Sequence, residues 1–132
     1  MVKTKGIVGD HQAKRGIHGG IYKAVSLFSL EVIDTLAREG HPIAPGSTGE
    51  NITISGDIWQ DLLPGVAIQL GKEVQLKITS YATPCPSIKD SFNDADVMRL
   101  HHRNNPNYSR LYAQVLREGV INKFDSVDLI NS

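Results

Sequence analysis

The residue with the widest chemical repertoire in this sequence is Cys85, set between two prolines in Thr83–Pro84–Cys85–Pro86. It is the only cysteine in 132 residues, so an intramolecular disulfide is excluded. One thiolate is also too few for a structural zinc site built on sulfur. As a thiolate it would be a nucleophile and a soft metal ligand. The prolines fix φ, remove two backbone donors and push the residues before them into extended geometry. The alternating Val74, Leu76 and Ile78 arrive just before, so the thiol is expected on a stiff loop at the end of a strand. The competing reading is a small buried hydrophobe, since free cysteine is among the most buried residue types. The local sequence leaves both open.

Three further clusters carry polar chemistry. Arg15–Gly16–Ile17–His18–Gly19–Gly20 lies in a stretch with Lys14, Lys23 and His11 and no acid between Asp10 and Glu31. Adjacent glycines let backbone N–H groups converge on an anion, and the cations add attraction. The spacing is not that of a P-loop, and a flexible connector is the simpler reading. In Gly46–Ser47–Thr48–Gly49–Glu50–Asn51, an amide and a carboxylate could read polar edges of a ring. Capping the loop against its own backbone is the simpler account. His101–His102–Arg103 reads as a solvated helix end, because neighbouring histidines do not share a helix face and no acid-rich spacing completes a metal site. No Gly-x-Ser-x-Gly elbow is present, while a Cys85–His18 pair stays open because such partners meet only in the fold.

Composition narrows the setting. A chain of this length builds one domain, spanning 1–132, with a real core. Fourteen basic and 14 acidic side chains cancel, which argues against a general nucleic-acid or anionic-membrane binder. No apolar run approaches the ~20 residues that cross a bilayer, and none resembles a signal peptide. With a lone cysteine, the expected location is the cytoplasm.

The elements that must position these residues are short. Thr4–Asp10 reads as a short first strand and Ala24–Phe28 as the next. Ser29 is an N-cap for a helix to about Glu39, with Glu31 in its first turn, a stripe of Leu30, Ile33 and Leu36/Ala37, and Gly40 as the stop. Ile52 and Ile54 share one face of a strand. Val66, Ile68 and Leu70, then Val74, Leu76 and Ile78, alternate about Gly71–Lys72 as a hairpin. Asp94 caps a short helix containing Val97, Met98 and Leu100. Leu111–Val115 and Val127–Leu129 supply the last strands. The expected fold is mainly β, a closed or nearly closed β-barrel with one or two inserted helices.

In order, these segments resemble the MOSC domain, the module also found at the C-terminus of molybdenum cofactor sulfurases. The series runs Gly6–Ile7–Val8–Gly9–Asp10, His18–Gly19–Gly20 with Lys23–Ala24–Val25, then Pro45–Gly46–x–x–Gly49–Glu50–Asn51. Leu63–Pro64–Gly65, Leu70–Gly71, Pro84–Cys85 and Tyr112–x–x–Val115–Leu116–x–x–Gly119 complete it. No single motif is specific; their order and spacing are.

The resemblance implies a β-barrel and a site for the molybdenum cofactor, molybdopterin with its metal. Cys85 would be the metal ligand or catalytic thiolate, or a carrier of sulfur as persulfide. Lys14, Arg15, His18, Gly19 and Gly20 would hold the cofactor's phosphate, and Glu50 and Asn51 would read the pterin. Implied activities are sulfur transfer or reduction of N-hydroxylated compounds. Two departures stand out: Ile21–Tyr22 follows the double glycine where many relatives have a proline and an acid, and the region after Cys85 is short. The chain therefore reads as a minimal stand-alone domain, with a separate sulfur donor or electron-transfer protein as partner. Two alternatives are a non-catalytic barrel that binds a phosphorylated small molecule and a metal-independent thiol enzyme.

Overall fold

The computed structural model describes residues 2–3, 6–7, 24–84, 91–92, 97–103 and 106–130. A small antiparallel pair, β1 (Val2–Lys3) with β2 (Gly6–Ile7), precedes the main sheet. That sheet contains β3 (Val25–Ser29), β4 (Ile52–Ile54), β5 (Ala67–Leu70), β6 (Val74–Ala82), β7 (Arg110–Arg117) and β8 (Val127–Leu129), in the order β4-β3-β7-β6-β5-β8. β3 and β4 are parallel; every other neighbouring pair is antiparallel.

The parallel pair follows from the helix between its strands. Ser29 ends β3 and accepts a hydrogen bond from the Val32 N–H at 3.3 Å, starting α1 (Leu30–Arg38). Glu31 sits in the first turn and Arg38 in the last, each at the end its charge favours. The helix stops in a Schellman pattern: His41 N–H donates to Leu36 O and Gly40 N–H to Ala37 O, with Gly40 at φ 101°. Such a crossover returns the chain parallel to β3. The buried face is Val32, Ile33 and Leu36. Ala37, expected on it, is exposed, and Leu30 is only half-buried.

The central strands supply the core. Val25, Leu27 and Phe28 of β3, Leu76 and Ile78 of β6, and Leu111 and Ala113 of β7 are fully or almost fully buried. Each large side chain among them contributes roughly 1.5–3 kcal/mol by leaving water. Trp59, in a short 3-10 helix at Asp57–Asp61, packs edge-on against Phe28 at 6.3 Å and donates from its indole N–H to Asn107 O at 2.8 Å. The β5–β6 hairpin turns through Gly71–Lys72–Glu73, one residue more than a two-residue turn, with Gly71 at φ 60°.

The expectation of a closed or nearly closed barrel is corrected. Among the described residues the sheet is an open half-barrel whose edges, β4 and β8, are not paired with each other. Both are three-residue strands, too short to form a long ladder. A cleft of about 720 Å³ lies between them, lined by Ile52, Ile54, Leu70, Ile121 and Val127 among others. The second expected helix is a single 3-10 turn, Val97–Leu100, and its expected cap Asp94 lies outside the described residues. No helix among the described residues is long and apolar enough to cross a membrane.

Candidate functional site

Of the residues singled out in the sequence, Cys85, Lys14, Arg15, His18, Gly19 and Gly20 lie outside the described residues. Glu50 and Asn51 are described, and so are the chain up to Pro84 and residues 91–92.

Glu50 is 4% exposed and organises its own loop. Its Oε2 accepts from the Gly46 N–H at 2.8 Å and from the Thr53 hydroxyl at 3.3 Å, while Oε1 accepts from the Thr48 hydroxyl at 2.8 Å. Gly46 and Gly49 take positive φ, 85° and 82°, so the chain can wrap around the carboxylate. Asn51 fastens this loop to β3: its Oδ1 accepts from the Ser26 N–H at 2.9 Å, and its own N–H donates to Ser26 O at 3.0 Å. The Ser26 hydroxyl lies 3.2 Å from both Asn51 Oδ1 and Gly49 O, and gives its one proton to either. Both side chains thus brace the loop.

The strand that precedes Cys85 in the sequence is re-aimed before it ends. Ile78 pairs with Ala113 and Ser80 with Tyr112, so Thr79 is an extra residue, and its hydroxyl donates to Tyr112 O at 3.2 Å. Such a bulge bends the strand and increases its twist. Beyond it, Ala82 stands opposite Arg110 at the start of β7.

Arg110 is only 8% exposed and joins the two regions. Its Nη1 donates to Thr48 O at 2.7 Å, and its Nη2 to Thr83 O at 3.3 Å. Thr48 belongs to the loop that Glu50 braces; Thr83 immediately precedes Pro84–Cys85. Downstream of the cysteine, the Ser91 hydroxyl approaches Ser47 Oγ at 2.9 Å and Ser47 O at 3.2 Å. The Phe92 ring meets His41 edge-on at 5.2 Å. The chain on both sides of Cys85 is therefore fastened to the 41–50 stretch.

Arg110 escaped the sequence reading. The only signal was a charged residue opening the apolar alternation of Leu111, Ala113 and Val115. The solvated end expected for His101–Arg103 holds at Arg103, which is exposed, and is corrected at the histidines: His101 and His102 are half-buried, and Tyr81, His102 and His101 stack in succession at 4.6 and 4.7 Å. Aromatic packing, invisible in a helical wheel, holds them. No group of three metal-ligating side chains occurs among the described residues.

The model of the MOSC domain matches residues 14–128. The chain belongs to the MOSC domain family. That family is generally linked to molybdenum cofactor binding. The fold of this MOSC domain is similar to YiiM from Geobacillus stearothermophilus, with a TM-score of 0.67 and 25% identity over 86% of this chain and 57% of that one. YiiM from Escherichia coli gives 0.70 and 19%, over 100% and 62%. YuaD from Bacillus subtilis gives 0.67 and 18%, over 97% and 82%. The MOSC chain thus spans about three fifths of the length of the two YiiM structures. No curated protein matches its sequence.

Proposed function

We propose that this MOSC domain binds the molybdenum cofactor or handles sulfur, using the Cys85 thiolate as metal ligand or persulfide carrier. The observation that carries this reading is the family match over 14–128, which spans Cys85, the basic glycine loop and the Glu50–Asn51 loop together. The described residues fit an anionic cofactor. Arg110 keeps a guanidinium, charged at all physiological pH, almost fully out of solvent beside the loop that leads to Cys85. A soft thiolate donor suits molybdenum.

When bound, the cofactor supplies a metal that can exchange electrons or a terminal sulfur. The chain's own residues do the rest. Lys14, Arg15, His18, Gly19 and Gly20 would bind the phosphate, the cations by charge and the glycines through backbone N–H groups. Glu50 and Asn51, in the loop that their hydrogen bonds brace, would read polar edges of the pterin. In sulfur handling, the Cys85 thiolate attacks the outer sulfur of a donor persulfide; the new S–S bond forms as the old one breaks, and the donor leaves as thiolate. A sulfur donor or an electron-transfer protein is the proposed partner, and the proposed setting is the cytoplasm.

Purification from a host that makes the cofactor, followed by assay of the oxidised pterin by fluorescence, tests the reading. Pterin that co-purifies with the protein supports it. Its absence, with synthesis confirmed in the same cells, would favour a non-catalytic half-barrel that holds another phosphorylated small molecule.

A further inference from the structure

We propose that the seam between β4 and β8 takes up an extended segment of a partner protein, apolar and basic residues alternating, as an added strand. The strand directions suit this. β4 runs parallel to β3, and four antiparallel steps lead from β3 to β8, so the two edges run the same way. A strand laid between them is antiparallel to both, which is the more stable ladder.

The register fixes what β8 offers. Gly71 N–H donates to Ser126 O at 2.8 Å and Ile130 N–H to Ala67 O at 3.0 Å, at the two ends of the β5–β8 pairing. Bonded residues alternate in such a pair, so Ser126, Asp128 and Ile130 turn their backbone groups to β5. Val127 and Leu129 turn theirs to the seam, where β8 has no second neighbour strand among the described residues. Leu129 stands opposite Ile68, which is fully buried, yet is itself 42% exposed. The core face of the sheet is thus uncovered at this edge, and Ile52 of β4 is only half-buried as well. Phe124, which lines the cleft, is 93% exposed at a φ of 72°. A bulky side chain in left-handed backbone is unfavourable, and no burial within the chain offsets it. Apolar residues of a partner laid over Leu129 and Phe124 supply that burial.

Charge selects the partner. Residues 52–57 and 121–129 carry the exposed acids Asp57, Asp125 and Asp128 against one cation, Lys123. Asp128 points to the outer face of the sheet, between Val127 and Leu129. A segment with apolar residues facing the core and basic ones facing outward complements this pattern.

The probe is a capped peptide of about seven residues, lysine and valine alternating, added to the full chain and followed by amide exchange in NMR. The Val127 and Leu129 N–H groups are expected to exchange roughly tenfold more slowly at saturation. Glutamate in place of lysine is expected to weaken binding about tenfold. The same peptide with every backbone nitrogen methylated keeps its side chains but loses its donors, and is expected to leave exchange unchanged. Leu129→Pro deletes one seam-facing N–H without touching the bonds to β5. It is expected to keep the melting temperature and to bind about tenfold more weakly. No slowing by the lysine peptide, or equal binding of the lysine and glutamate peptides, would overturn the proposal. Full protection by the methylated peptide would assign the cleft to a small apolar ligand and overturn it. Protection already present in the free protein, growing with its concentration, would assign the seam to a second copy and overturn it too. If Leu129→Pro does not fold, the methylated peptide decides.

Discussion

The carbonyl oxygens of Thr48 and Thr83, from two separate loops, are held by one side chain, with Arg110 Nη1 2.7 Å from the first and Nη2 3.3 Å from the second. Neither threonine hydroxyl takes part in this junction. The Thr48 hydroxyl instead donates to Glu50 at 2.8 Å, so the buried cation and the buried carboxylate are linked through one residue.

That link makes Glu50→Gln costly. The carboxylate accepts from three donors, and an amide would turn an N–H₂ group towards at least one of them. Leaving a buried donor unmet costs about 1–3 kcal/mol. Urea unfolding monitored by the emission of Trp59 should show this loss. A change below about 0.5 kcal/mol would mean that the loop is not braced by Glu50.

Gly71→Ala should also destabilise. A Cβ there would lie 2.6 Å from Asp125 Oδ2 and 3.0 Å from its carboxyl carbon, at a φ of 60°. Asp125 cannot swing away freely, since its Oδ2 accepts from the Asn122 N–H at 2.7 Å. The left-handed backbone alone costs about 1–2 kcal/mol with a side chain. Thermal and urea unfolding of the variant would measure the sum; an alanine protein as stable as wild type would contradict the hairpin geometry.

Much of this architecture is legible in the sequence. Ser29, Glu31 and Gly40 mark the helix because capping and dipole effects are local, and the alternations in β5, β6 and β7 mark strands because their period is two. Openness of the sheet was not legible. It depends on whether β4 and β8 meet, and no local pattern states the distance between two sheet edges. Arg110 was missed for the same reason: its acceptors are main-chain carbonyls, which every residue has. Glu50 and Asn51 were visible as candidates, and their hydrogen bonds agree with the loop-capping alternative.

Acid should affect the surface pair of Arg99 and Glu39 in a defined direction. The hydrogen bond from Arg99, at 2.8 Å, is the largest cause holding the Glu39 carboxyl below its usual range. A depressed folded-state value stabilises above the unfolded pKa, and the benefit fades as pH falls through the folded one. Both groups are solvent-exposed, so the effect on stability is small and screened by salt. Carbon-13 NMR titration should place the Glu39 midpoint below that of Arg99→Met. Identical midpoints would contradict the pairing.

Arg15→Ala should weaken cofactor retention most at low salt, with the difference from wild type shrinking as salt rises, if the glycine loop holds a phosphate. Salt screens the attraction of an exposed cation, whereas thiolate ligation is not screened. Pterin content after washing at low and high salt would measure this. Equal retention by both proteins would remove Arg15 from the site.

The most direct test of the central claim is the content of molybdenum and of cyanide-releasable sulfur per chain, in wild type and Cys85→Ser from a cofactor-making host. Serine nearly preserves volume but replaces a soft thiolate by a hydroxyl that ionises poorly. The account predicts that wild type carries metal or labile sulfur, and that the serine protein carries neither at unchanged circular dichroism and melting temperature. A serine protein that keeps whatever the wild type carries, or a wild type that carries neither, contradicts it.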